Sequence, residues 1–407
     1  MSNILWLSDS PFCVTGYATI SWNICNKLAE AGHNVYYLAH NYIGQTLPPG
    51  IKMQDGTVYK FTIIGGSPTP YSQDLIMPLI KKYNIDVFGI LLDTFMTYPW
   101  LLNLDFSPAK SIFYFPSDGG GGLPLGCENI LKKVNCPVAM AKFGQRQAKK
   151  MHDLDTNYIP HAIDTENYFP LSKEKKELCK AKFGLQDKFV VGCVQRNQGR
   201  KMPDRLLKAF KLFSKDKPDA VLFLHTDPRD NAAPFDILNL INRLKLNNRV
   251  VFSGMNFYNG FDYKQMNEVY NAMDMFAIST SGEGFGIPII EANACGLPVV
   301  ATNYTTSLEL LKEGKESGLL ANLSGDSEEE LPDFHCDEIL DGTLTGSWNV
   351  ERGMVSIKDM AKKMELLYND ANLREELGKN GAEKTKEQYN WNDIGQQWVK
   401  LVEELIK

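Results

Sequence analysis

The 407-residue chain is 43% hydrophobic and 23% charged, with a formal net charge of -6. That length exceeds one ordinary domain and suits two or three, and the composition is that of a globular protein rather than a disordered or fibrous one. The acidic balance excludes a general nucleic-acid binder, whose affinity rests on a basic surface, so any phosphate site must be local.

The opening stretch "MSNILWLSDSPF" is a short apolar run with no basic segment ahead of it, and it reads as a strand rather than a signal peptide. With no apolar run approaching ~18 residues, no transmembrane segment is expected. Next, "NILWLSDSPFCVTGYATISWNICNKLAEAGHNVYYLAH" reads as strand, loop, helix and strand. The helix has apolar spacing at Ile20, Ile24 and Leu28 and a stop at Gly32. This is a βαβ unit with its loop at the carboxyl end of the first strand. Further strands are expected at "FTIIGG", "DVFGILL", "SIFYFP" and "PVAMA", so residues 1–165 should form a mostly parallel sheet covered on both faces.

"YIPHAIDTENYFPLSKEKKELCKAKFGLQDK" interrupts the alternation with prolines and a basic run, and reads as a linker. Strands resume at "FVVGCVQR", "AVLFLHTD", "RVVFSGM", "MFAIST" and "LPVVAT", a second doubly wound domain spanning 166–390. Lys and Arg balance Asp and Glu, 12 against 12, within residues 1–165, so the net negative charge lies downstream. Much of it falls in "GDSEEELPDFHCDEILDGT", which reads as a loop insertion before helical patterning returns. The eight cysteines show no C-x-x-C pair and no zinc spacing, which points to a reducing, cytoplasmic compartment.

The chemistry concentrates in loops after strands. In "SGEGFGIPIIEANACGLPVV", residues 281–300, a glycine-rich turn leads into a helix with Pro288 at its first position. The amides of Phe285, Gly286 and Ile287 would point out of the helix end toward an anion, and Gly284 and Gly286 would let a ligand approach the backbone. Glu291 is expected in the first helical turn, with Glu283 ahead of it. The two acids could hold hydroxyls on either side of a diphosphate, or merely favour the helix dipole and solvent. Arg196 and Lys201, in "GCVQRNQGRKMPDRLLKAF", could clamp a diphosphate, with Arg200 competing for the arginine's place and simple solvation as the alternative. In the first domain, Gly16 precedes a helix and could touch the same phosphate or simply serve the turn. Asp118, followed by four glycines in "FPSDGGGGLPL", could meet a sugar hydroxyl, act as a base or sit in a plain turn, with the glycines forming a mobile loop; Asp93 in "LLDT" is placed similarly. No HExxH, Walker loop or G-x-S-x-G is present.

Together these segments resemble the retaining GT-B glycosyltransferases of the glycosyl transferases group 1 family. "EGFGIPIIEANACGLPVVAT" looks like that family's E-x7-E signature, "YIPHAIDTENYFP" its interdomain segment, and "SLELLKEGKESGLL" its later E…G…G segment through Glu309, Gly314 and Gly318. "YNWNDIGQQWVKLVEELI" is similar to its closing helix, which crosses back onto the first domain, so about 391–407 would join residues 1–165. The resemblance implies an α/β fold of two Rossmann-like domains facing across a cleft. It implies that Glu283 meets the donor sugar, Glu291 the ribose, Arg196 and Lys201 the diphosphate, and Gly16 the phosphates from the other side. Base contacts would fall near Met255 and Asn256, and Asp118 stands where many members carry a histidine.

The implied activity is metal-independent transfer of a hexosyl group, with retention, from a nucleotide diphosphate sugar to a glycan or glycoprotein hydroxyl. GDP-mannose is favoured as donor, UDP-glucose next, and no cofactor is expected. Alternatives are a sugar phosphorylase or epimerase of similar architecture, or a non-catalytic nucleotide-sugar-binding subunit.

Overall fold

A computed structural model describes residues 1–53, 56–230, 233–255, 260–324 and 350–407, and the backbone of 338–340. In chain order the first half comprises β1 (Asn3–Ser8), α1 (Gly16–Glu30), β2 (Asn34–Ala39), β3 (Ile51–Lys52), β4 (Val58–Tyr59), β5 (Thr62–Gly65), α2 (Gln73–Lys82), β6 (Val87–Ile90), α3 (Thr94–Leu101), β7 (Lys110–Phe115), α4 (Cys127–Lys133), β8 (Cys136–Ala139), α5 (Lys142–His152) and β9 (Asn157–Tyr158). The second half comprises α6 (Lys173–Lys182), β10 (Phe189–Val194), α7 (Pro203–Phe213), β11 (Ala220–His225), α8 (Ile237–Arg243), β12 (Val250–Phe252), α9 (Tyr263–Asn271), β13 (Met275–Ile278), α10 (Ile287–Ala294), β14 (Val299–Thr302), α11 (Ser307–Lys312) and β15 (Gly318–Ala321). It closes with β16 (Glu338–Leu340), β17 (Glu351–Gly353), α12 (Ile357–Asn369), α13 (Ala371–Gln388) and α14 (Trp391–Leu405).

Two parallel sheets carry the architecture, in the orders β5-β2-β1-β6-β7-β8-β9 and β12-β11-β10-β13-β14-β15. Their central strands are apolar on both faces because helices cover both sides: five of six residues in β1 and in β10 are buried. α1 begins where the Thr15 hydroxyl accepts the Ala18 amide, and it buries Ile20, Ile24 and Leu28 against the sheet. Gly32, at φ +90°, turns the chain out of that helix into β2. All eleven strands read from the sequence by their apolar runs are present. The short β9 and β17 and the hairpin β3–β4 carry too few residues to show a period.

One expectation needs correction. The basic run taken into the linker forms α6, which belongs to the second domain: Lys180 spans to Asp274 at 2.9 Å, and the Ser172 hydroxyl caps the helix. The true crossing is shorter, around Ile159–Asp164.

The chain crosses back at Tyr389–Asn390, and the two crossings touch, with the Ile163 amide donating to the Tyr389 carbonyl at 2.7 Å. Beyond this point α14 packs on the first domain. Trp398 is fully buried and meets Trp6 and Tyr114 edge-on, with ring centroids 5.6 and 4.8 Å apart.

A second strap joins the domains at α5. Its N-cap, Ala141, has no side chain able to cap. Glu309 of α11, from the opposite domain, supplies the carboxylate, accepting the amides of Lys142 and Phe143 at 3.2 and 2.9 Å.

Candidate functional site

Each sheet reverses its strand order once, between β1 and β6 in the first domain and between β10 and β13 in the second. Ligands of open parallel sheets bind outside the carboxyl ends of the strands at such reversals. The loops there carry Gly16 and Asp93 on one side, and Arg200, Lys201 and Glu283 on the other.

On the second-domain side two loops are stitched together. After β10 the chain folds into a 3-10 turn, Gly199–Lys201, whose successive residues point about 120° apart. The loop after β13 holds this turn through the Ser281 amide, which donates to the Arg200 carbonyl at 2.7 Å, and the Ser279 hydroxyl, which donates to the Met202 carbonyl at 2.7 Å. Arg200 and Lys201 therefore converge on one carboxylate. Lys201 Nζ lies 2.5 Å from Glu283 Oε1 and Arg200 Nη1 lies 2.8 Å from Oε2, while the Glu283 amide donates to Thr305 Oγ1 at 3.0 Å. Glu283 is 3% exposed and Lys201 7%.

Burial alone would raise the Glu283 pKa, but the two cations overcome it and hold the carboxyl down at about 2. Burial and then Arg200 depress Lys201 below the usual lysine range, against the pull of Glu283.

The first domain contributes Asp118, 9% exposed. Its carboxylate lies 3.0 Å from Arg352 Nη2 and 3.8 Å from Arg200 Nε, and Arg352 also donates to the Asp118 carbonyl. Among the described residues, Arg200, Lys201 and Arg352 thus gather around Glu283 and Asp118 in one cluster. Arg352, 2% exposed on β17, was not singled out in the sequence. Nothing local marks it, because its partner lies 234 residues away.

The tetraglycine run is also fixed from β17. Gly120 and Glu351 exchange two backbone hydrogen bonds at 3.1 and 3.0 Å, and a Cβ on Gly119 would come within 2.6 Å of the Glu351 carbonyl. The glycines admit a strand at close range, and the expected mobile loop is instead paired.

The glycines of the 281–287 turn serve a similar contact. A Cβ on Gly282 would sit 1.8 Å from the Asp118 carbonyl oxygen, and one on Gly284 would sit 2.9 Å from Pro116 Cβ. Gly286, at φ +104°, is the N-cap of α10, so the helix starts at Ile287 with Pro288 in its first turn. The end carrying the amides of Phe285, Gly286 and Ile287 faces Gly16: a Cβ there would lie 3.0 Å from Ile287 Cδ1.

Because the helix starts at Ile287, one residue earlier than expected, Glu291 is its fifth residue and falls just past the first turn. It accepts the Tyr270 hydroxyl at 2.6 Å, and burial raises its pKa while Tyr270 and Tyr168 oppose the rise. Arg196 is not in the cluster: its side chain is 43% exposed and reaches Asp230 at 3.4 Å, and Arg200 occupies the place expected for it. Met255 is half-buried just after β12, the edge strand of the second sheet. Asn256 lies outside the described residues. Among the described residues no cluster of His, Cys, Asp or Glu is arranged to hold a metal ion, and no helix is long and apolar enough to cross a membrane.

Phe285 ties the site to the domain crossing. Its ring lies 4.7 Å from His161 and 5.9 Å from Tyr389, and His161 Nδ1 is 2.8 Å from the Tyr114 hydroxyl. Burial lowers the His161 pKa to about 3, so this contact is that of a neutral ring.

Residues 175–330 match the family model Glycosyl transferases group 1. The chain is 25% identical over 252 residues to mannosylfructose-phosphate synthase of Agrobacterium fabrum, covering 60% of this chain and 47% of that protein. It is 29% identical over 181 residues to GDP-mannose-dependent monoacylated alpha-(1-6)-phosphatidylinositol monomannoside mannosyltransferase of Corynebacterium glutamicum, covering 41% of this chain and 45% of that protein. The chain thus spans about half the length of these curated relatives. Sucrose-phosphate synthase from Thermosynechococcus elongatus superposes with a TM-score of 0.76 at 17% identity, covering 100% of this chain and 99% of that one. HepE from Anabaena, solved in complex with UDP and glucose, superposes at 0.69 with 16% identity, covering 99% and 100%. Over residues 175–330 the chain is similar to the glycosyl transferases group 1 family, and its two facing parallel sheets have the GT-B fold.

Proposed function

We propose that the protein transfers a hexosyl group from a nucleotide diphosphate sugar to a hydroxyl of a glycan or glycoprotein acceptor, with retention at the anomeric carbon. The observation that carries the reading is the buried cluster in which Arg200 and Lys201 share Glu283 beside the start of α10, with Gly16 opposite. Departure of the nucleotide diphosphate is the costly step, because negative charge grows on the leaving phosphate. Arg200, Lys201 and the α10 amides are already oriented where that charge develops. Glu283 then turns to a donor-sugar hydroxyl and Glu291 to the ribose. The leaving phosphate oxygen takes the acceptor's proton on the same face, so charge neutralisation falls to these cations and no metal is called for. Domain closure, fastened by Arg352 on Asp118, keeps water from the reacting carbon.

GDP-mannose is the favoured donor, supported by the name of the corynebacterial relative, and UDP-glucose is next, supported by the UDP and glucose bound in HepE. The free thiols of the described cysteines suit a cytoplasmic setting.

Thermal-shift titration with nucleotide sugars, followed by NMR of the product, tests the reading. The expected result is stabilisation by one nucleotide sugar, release of its diphosphate and an α-linked product from an α-linked donor, with turnover unchanged in EDTA. Stabilisation without turnover on any acceptor or water would favour a non-catalytic binding subunit, and dependence on free phosphate a phosphorylase.

A further inference from the structure

Asp93 is a carboxyl the transfer chemistry above leaves without a task. It stands at the N-cap of α3, where an aspartate ordinarily accepts the helix's own first amides, yet it makes no such bond. Its Oδ1 instead accepts the Tyr17 hydroxyl from α1 at 2.5 Å, the only side-chain hydrogen bond of this carboxyl among the described residues. Both residues sit at the reversal of the first sheet, after β6 and after β1. Gly16, adjacent to Tyr17, faces Ile287 at the start of the donor-side helix. Asp118 and Arg200 lie close enough to act electrostatically on both Tyr17 and Asp93. Asp93 is a half-buried residue, on the first-domain side of the cleft and next to the place assigned to the departing phosphate.

We propose that the Asp93–Tyr17 pair positions the acceptor, with the Asp93 carboxylate accepting a hydrogen bond from a second hydroxyl, on the carbon next to the one that bears the attacking oxygen. The inference rests on the functional reading above and narrows its acceptor to a polyhydroxyl compound, such as a sugar or polyol. In the transfer the attacking oxygen bonds to the anomeric carbon as the bond from that carbon to the diphosphate oxygen breaks. The proton of the attacking hydroxyl passes to the departing phosphate oxygen. Asp93 takes no proton and forms no covalent bond. A monohydric alcohol has no second hydroxyl to give it, so such an acceptor loses orientation while keeping its reactivity.

Titration behaviour agrees with this role. Burial pushes Asp93 up to about 6, with Tyr17 opposing, Asp118 raising, Arg200 lowering and Asp9 raising it further; Tyr71 also faces it. Near pH 7 the carboxyl is therefore mostly ionised and accepts hydrogen bonds, and below about 6 it is protonated.

The test uses the full chain, its best-hydrolysed nucleotide sugar, and 1,2-propanediol against 1-propanol at equal concentration, with each glycoside measured by mass spectrometry. A hydrogen bond to a charged acceptor corresponds to roughly a tenfold preference or more for the diol. The expected result is such a preference in the wild type, fading below pH about 6. Asp93→Asn should bring it within about twofold of unity with propanol transfer and donor hydrolysis unchanged. Tyr17→Phe should keep hydrolysis and weaken the preference, and it supplies the answer, together with the wild-type pH profile, if the Asp93 variant does not fold. A wild type without diol preference, or an Asp93→Asn protein that keeps it or loses all three activities equally, overturns the proposal. Failure of the wild type to bind or hydrolyse any nucleotide sugar would instead overturn the functional reading itself.

Discussion

The two walls of the cleft solve the problem of buried charge differently. On the second-domain wall Glu283 and Lys201 are almost withdrawn from water, Arg200 is half-buried, and the three satisfy one another within 2.8 Å. The first-domain wall carries the buried Asp118, tied to Arg352, but its Asp9 and Asp93 are half-buried residues held by hydroxyl or imidazole groups: Asp9 by Thr15 and His40, Asp93 by Tyr17. A wall of mutual ion pairs is set before the ligand arrives, as preorganised stabilisation of a leaving group requires. A wall of carboxyls with weaker partners can exchange them for the hydroxyls of an acceptor.

The strongest way to break this contrast is Glu283→Gln. Transfer should fall about 10³-fold, the scale of losing one preorganised electrostatic group, with nucleotide affinity held within about threefold by calorimetry. Equal loss of binding and turnover would show Glu283 to be structural.

Next comes the span between the walls. Arg352→Met removes the nearest cation from the buried Asp118, with Arg200 at 3.8 Å, and should cost about 3 kcal/mol in urea unfolding. Adding Asp118→Leu should recover most of that stability but not the transfer activity. A smaller effect is expected at Glu309, whose pKa burial raises to about 7, with the amides of Phe143 and Lys142 and the Arg146 charge opposing. The folded state therefore holds this proton more tightly than the unfolded chain, where the value is near 4.5. Stability from Glu309 is full below about 4.5 and is lost as pH rises through about 7. Glu309→Gln should flatten the dependence of the melting temperature on pH over that window; an unchanged slope would show that Glu309 does not contribute to it. The smallest effect belongs to Arg196→Ala, on an exposed pair worth no more than about 1 kcal/mol. Its kcat/KM should stay within about threefold of wild type while Arg200→Ala loses far more, and the reverse order would return the diphosphate to Arg196.

The sequence made the alternation of strands and helices legible because doubly covered parallel strands are continuous apolar runs. The turn at 281–291 was legible because glycine, proline and acids at a strand's end have few other uses. Arg352 and the cap from Glu309 were hidden, since both act across the domain boundary and carry no periodic signature. The choice between Arg196 and Arg200 turned on one 3-10 turn, and the position of Glu291 on a helix that begins one residue after Gly286. The four glycines after Asp118 suggested looseness, whereas their lack of side chains is what lets β17 lie against them.

The ring of Phe285 has a mechanical consequence. It lies between His161 and Tyr389, one from each chain crossing, and those crossings are joined by a hydrogen bond, so the two crossings meet at a single pin. The residue that presses on that pin also offers its amide at the α10 end. A ligand that moved the turn would therefore press on both crossings at once, with no relay through either sheet.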